Sequence, residues 1–411
     1  MPKTKLAVFV ATVGILVSGC ADLTNGSAVQ DPNFDDTVAV PGLMEPGNYP
    51  TTPREPLGLA ETRERGAALE GRRMLEYLLY PVEIDPSINN HGGDKTGMLW
   101  NPEAAALRLD NKGLRSALEA HDYVTGYSLT ATEFTDGSRK KYLQNAVMRF
   151  ATPEDAAAAA KDLAEASLSQ NDSYSGDPLP ITPVPIPRYQ EPGRGYTTSG
   201  SASFAASYVA TVFVPHGPFV LAPTVTTVES MEATTNLLAT TLDKERAELD
   251  KFQPTPVDKL PELERDPTGL LVRVPEKPED QLDGTVGPYG PHGALQFESD
   301  VLKSQKLFAE TGVDFLGVEL VFITRAKDQE SAQRLLDYWA DDISERGYAA
   351  SDALPGLPNS RCVTKPASGD YGWPDTWCGV VQDRHVVNWN GPQGNDVRQR
   401  VTAAYMMLTA Q

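Results

Sequence analysis

From residue 111 onward the apolar positions change period in a set order. A helical period over 111–120 gives way to alternating strand-like runs over 124–130 and 143–150, and these lead into a helix over 153–168. Strand patterns over 203–214 and 219–225 and a long helix over 230–252 complete the series. The order then starts again. It predicts a helix over 300–311, a strand over 313–324, a helix over 329–346, strands over 361–365, 376–382 and 385–389, and a closing helix over 396–408. Thr152, Pro153, Glu154 and Asp155 suit a helix start: a capping hydroxyl, a proline in the first turn and acids against the dipole. Ala332, Leu335, Leu336, Trp339, Ala340 and Ile343 form an apolar stripe of helical period that suits packing on a sheet.

The repetition extends to residues. Ala106 to Asp110 followed by Leu114 recurs as Ala294 to Glu298 followed by Leu302, an offset of 188. Phe150, Ala160 and Leu163 match Phe322, Ala332 and Leu335 at offset 172, and His216 with Pro223 matches His385 with Pro392 at 169. The drop of 16 places extra residues in the first copy, at the turn signal Thr135-Asp136-Gly137-Ser138. The fold class expected is α+β: two related layered α/β-sandwich domains from an internal duplication, with helices packed on mainly antiparallel sheets. Copy one takes 100–252 and copy two 288–411; the proline-rich 253–287 reads as a semi-rigid connection with one added strand over 270–274. Residues 48–99 form an N-terminal extension with a helix over 62–79, in which Gly66 and Gly71 argue against an unbroken run.

At its start the chain has a different character. Lys3 and Lys5 precede an apolar run from Leu6 to Val17, and Val17-Ser18-Gly19 leads into Cys20. Such a run is too short for a stable bilayer span and fits a lipoprotein signal peptide over 1–19, with Cys20 as the lipidated first residue and 20–47 as a flexible tether. Cleavage there removes two lysines and takes the formal charge from −20 to −22. A body this acidic repels phosphates, so nucleic acid is not expected as a partner. Cys362 and Cys378, enclosing fifteen residues in an oxidising compartment, are expected to form a disulfide rather than a metal site, since none of the five histidines clusters with them.

Asn48 to Arg54, the run Glu70-Gly71-Arg72-Arg73-Met74 and Tyr289 to Leu295 resemble a family of actinobacterial secreted lipoproteins of unknown function. That resemblance implies a cell-envelope lipoprotein and brings no catalytic residues with it. The two-copy plan is also similar in layout to extracellular sensor domains of mycobacterial membrane kinases.

Recognisable catalytic signatures are missing: no Gly-x-Ser-x-Gly elbow, no His-Glu-x-x-His, no phosphate loop. Ser138 and Lys141 have Ser-x-x-Lys spacing at a turn, without companion motifs. No cofactor or metal is expected. Tyr371, Trp373, Trp377 and Trp389, with His385 beside them, crowd the cysteine region of copy two and are the candidate binding residues, able to stack on a sugar or cover a lipid chain. The expectation is a non-enzymatic lipoprotein at the outer face of the cytoplasmic membrane, held by its lipid anchor and binding an envelope lipid, glycan or protein. The alternative is a hydrolase of cell-wall glycan, peptide or lipid ester.

Overall fold

The computed structural model describes residues 38–93, 95–171, 176–198, 205–278, 284–367 and 374–410. Cys20, Tyr371 and Trp373 lie outside them. The chain from Val38 onward forms one compact unit.

The extension supplies α1 (Arg63–Leu75), α2 (Pro81–Ile84), β1 (Asn90–His91) and β2 (Gly97–Met98). Copy one continues with α3 (Pro102–Arg108), α4 (Leu114–Glu119), β3 (Tyr123–Thr135), β4 (Ser138–Phe150) and α5 (Pro153–Ala166). It is completed by β5 (Thr182–Val184), β6 (Gly193–Thr198), β7 (Ser207–Thr211), β8 (Val214–His216), β9 (Phe219–Leu221), β10 (Thr224–Thr227) and α6 (Met231–Leu249). Copy two comprises β11 (Gly287–Tyr289), α7 (Val301–Thr311), β12 (Phe315–Val318), β13 (Phe322–Arg325), α8 (Gln329–Glu345), β14 (Ala349–Ser351), β15 (Arg361–Lys365), β16 (Asp375–Gln382), β17 (His385–Gly391) and α9 (Gly394–Thr409). Helix starts are fixed by side chains. Thr152, Ser230, Asp300 and Asp328 each accept a hydrogen bond from the backbone N–H three residues on.

Both sheets are antiparallel, and both have the same strand order. The first runs β1-β3-β4-β10-β7-β6-β5 and the second β11-β12-β13-β17-β16-β15-β14. Thr211 faces Thr224, Val214 faces Leu221 and His216 faces Phe219 in one continuous register, so β7–β8 and β9–β10 are the arms of a single bent hairpin. It corresponds to β16–β17, where Gln382 faces His385. The internal duplication is therefore a property of the fold.

The pairings also correct the residue matches. Phe219 pairs with Arg149 as His385 pairs with Arg325, which sets Arg149 against Arg325 and Phe219 against His385. The offset through β4 and α5 is thus 176, in agreement with the caps Thr152 and Asp328, and Ala156 rather than Ala160 is the counterpart of Ala332. A shift of about one helical turn preserves the apolar stripe, which is why the matches at 172 looked consistent. His216 and His385 are not equivalent: they stand on opposite arms of the same hairpin. The extra residues of copy one do lie in the β3–β4 hairpin, closed by Asp136 and Gly137, both with positive φ.

Other expectations change as well. The strand expected over 313–324 is a short hairpin, β12–β13, that turns at Glu319-Leu320-Val321, which the apolar run around it masks, and 270–274 holds a 3-10 turn instead of a strand. Residues 38–47 are not free coil: Val40 N donates to Gly356 O at 2.8 Å, and Ala39 and Met44 pack on the core under α9. Helix α1 is unbroken, and its glycines serve close approach. A Cβ on Gly66 would stand 2.1 Å from Leu260 O, and one on Gly71 2.8 Å from Thr125 Oγ1.

In copy one α5 covers one sheet face and the closing helix α6 the other, as α8 and α9 do in copy two. A shared core joins the copies. Met74, Leu75, Leu78, Tyr80 and Ile84 of the extension pack between α6 of copy one and the α7–α8 side of copy two. The same seam buries polar groups with their partners: Tyr80 Oη donates to His292 O at 3.0 Å, and Glu76 accepts from His292 N and Gly293 N.

Candidate functional site

On the α8 face of the second sheet, packing is incomplete. Period-two alternation directs Leu316, Thr324, Asn388, Asn390 and Trp377 to this face, because each pairs in register with another of the set or with a residue beside it. They form the floor of a cleft of about 200 Å³. Trp339, Asp342, Ile343 and Arg346, at the C-terminal end of α8 and just beyond it, form the roof, and Phe297, Glu298 and Ser299 close one side.

The charged groups around it are engaged with one another. Glu298 accepts from Ser304 Oγ at 2.7 Å and Trp339 Nε1 at 3.0 Å. Burial, outweighing those two hydrogen bonds and aided by the nearby Asp342 charge, pushes its carboxyl up to about 7. Asp342 pairs with Arg346, which also donates to Ser299 Oγ at 2.5 Å. Tyr348 Oη donates to Asp375 Oδ2 at 2.7 Å. Thr324, 1 % exposed, has a hydroxyl with no hydrogen-bond partner among the described residues. Nor do the side chains of Asn388 and Asn390 have one there.

Of the candidate binding residues that are described, Trp377, Trp389 and His385 do not converge. Trp377 is buried in the cleft floor, whereas Trp389 pairs across from Cys378 on the opposite face, half-buried, with Arg400 over its ring. His385 lies at the β16–β17 hairpin tip, its pKa lowered by burial and then by Arg384. Cys362 and Cys378 form the disulfide, between directly paired positions of β15 and β16. It fastens the sheet beneath the cleft, since its sulfurs face α9. Lys141 of the Ser-x-x-Lys spacing is paired with Asp85 and Glu133. Sequence reasoning missed Glu298, Thr324, Asn388 and Asn390. Two asparagines alternating with a tryptophan in an apolar-flanked strand were the available signal, because they place amides on a face that should be core. No group of three His, Cys, Asp or Glu side chains suited to a metal ion is found among the described residues, and no helix there is long and apolar enough to cross a membrane.

A duplicated α+β scaffold with a polar and aromatic hollow in one copy defines a class of two-domain proteins in which the fold itself assigns no chemistry. The chain belongs to the DUF7373 family, a family of unknown function: the N-terminal domain model matches residues 57–265 and the C-terminal one 269–411. A comparison with curated proteins returns no match. Among solved structures the chain is similar to the extracellular domain of PknH from Mycobacterium tuberculosis, at 13 % identity and a TM-score of 0.31, over 44 % of this chain and 97 % of that one.

Proposed function

We propose that this protein is a cell-envelope lipoprotein, anchored through Cys20 at the outer face of the cytoplasmic membrane, that binds a ligand in the cleft of copy two without transforming it. The reading is carried by one observation: unpartnered polar groups line a hollow in one copy where its duplicate is packed shut. Glu298, held near neutrality beside Asp342, is what a hydrolase would use as a general acid. Its oxygens are already occupied by Ser304 and Trp339, and Asp342 is held by Arg346, so neither is poised for a substrate.

Binding is tested by titrating the purified chain with envelope lipid and glycan extracts and following tryptophan fluorescence. A saturable change that Trp339→Ala abolishes supports the cleft, and release of new reducing ends, amines or fatty acid from the extracts would favour hydrolysis instead. Anchoring is tested by Cys20→Ser: the variant should leave the detergent phase or accumulate uncleaved.

A further inference from the structure

The groups that the cleft leaves open have one chemistry. Among the described residues, each formal charge around it is spoken for: Asp342 by Arg346, and Glu298 and Asp375 by hydrogen-bond donors. A charged ligand would have to displace one of these partners, with loss on both sides. What remains are a hydroxyl on Thr324 and two carboxamides on Asn388 and Asn390. An amide presents donors and an acceptor together, as a ligand hydroxyl does, so the pair suits a molecule carrying several hydroxyls. All three sit on β13 and β17, neighbours at the centre of the sheet, on one face.

Facing them are aromatic surfaces. Trp377 lies in the floor, Trp339 in the roof and Phe297 at the side, so apolar faces alternate with polar edges around a small volume. An acyl chain would cover the rings but strand the Asn388 amide and the Thr324 hydroxyl away from water, at a cost of about tenfold in affinity or more for each. Size narrows the choice further. About 200 Å³ is below the roughly 300 Å³ at which drug-sized pockets begin, and it admits one substituted ring rather than a chain of them.

We propose that the cleft of copy two binds a single neutral sugar ring, its hydroxyls met by Asn388, Asn390 and Thr324 and its C–H faces by Trp339 and Trp377. This rests on the reading of the cleft as a ligand site and adds the ligand's class.

The test uses the full chain in detergent, with saturation-transfer NMR and calorimetry. The panel is methyl glycosides of neutral hexoses and pentoses, methyl N-acetylglucosaminide, glucuronate, glucosamine, and octanoate as the acyl probe. At least one neutral glycoside should receive saturation through its ring C–H protons and bind about tenfold or more tighter than glucuronate and glucosamine. Asn388→Ala and Thr324→Val should each weaken it about tenfold. Near-UV circular dichroism checks folding, and Asn390→Ala, exposed at the mouth, replaces any variant that fails. If octanoate or a charged sugar binds, in a manner sensitive to Asn388→Ala, while no neutral glycoside does, the sugar assignment is overturned and the cleft remains a binding site. Should no probe of any class respond to the cleft variants, both readings fall.

Discussion

The α5 face of copy one and the α8 face of copy two share a backbone plan and differ in what fills it. Where copy two has Thr324, Asn388 and Trp339, copy one has Met148, Ala222 and Leu163, all fully buried in a closed apolar core. Helix α5 meets its sheet through Ala156, Ala159 and Ala160, small enough to let it lie close. Helix α8 meets its sheet through Leu335, Leu336 and Trp339, and beyond Ala340 its last turn carries Asp342 and Ile343 over open space. The hollow thus comes from a change in the size and polarity of the residues on this face, with Thr324 smaller than Met148 and Asn388 and Trp339 larger than Ala222 and Leu163, not from a missing element. Glu298 makes the same point: its counterpart Asp110 is exposed and paired with Lys95 at 3.0 Å, whereas Glu298 is turned inward. One copy retains tight packing, and the other gives up part of it for open polar groups, a trade expected at binding sites.

Exchanging residues between the copies breaks this contrast most directly. Met148→Thr puts the copy-two residue into the closed core and should cost about 2 to 4 kcal/mol in urea unfolding, since it removes buried apolar atoms and leaves a hydroxyl unpaired. Removing the disulfide with Cys362→Ala and Cys378→Ala, which frees the strands under the cleft, should cost about 3 kcal/mol and flatten the ligand response. Glu298→Gln sharpens the comparison through pH. Between the ordinary carboxyl value of 4.5 and about 7, the folded chain keeps a proton that the unfolded chain has released, so stability falls as pH rises through that window. The variant should match the parent at pH 4 and exceed it by up to about 3 kcal/mol at pH 8, measured as a difference in urea midpoints. The smallest effect is expected from Thr324→Val, which replaces an unpaired hydroxyl by a methyl group: a gain of about 1 kcal/mol or less, with ligand binding reduced.

The fold was legible in the sequence to the extent that it rests on period and caps. The α5 and α8 patterns, the hairpin of β3 and β4 and the order of the copies were readable because each repeats over several turns or residue pairs. Short edge strands were not. Strands β5 and β14 have three residues each, and β6 carries Gly193 and Gly195, so neither alternation nor propensity marks them. The residue matches slipped by about a turn because a helical stripe nearly repeats after four positions. At the site, Trp377 was legible as an aromatic near the disulfide. Trp339 was read as part of a core stripe, which it is, and its place at the edge of a hollow depends on Glu298, about forty positions earlier in the chain. Contacts of that kind are set by tertiary packing and leave no local signature.

The place of the open amides in the sheet has a kinetic consequence. Strands β13 and β17 are the third and fourth of seven, hydrogen-bonded on both edges, so backbone at Thr324 and Asn388 is released only when the sheet itself comes apart. Its amide protons should exchange with solvent at the slowest, globally limited rate, and the floor of the cleft should hold one shape over the whole residence time of a ligand. Association then needs no rearrangement of that floor, and differences in affinity among ligands should appear in how fast they leave.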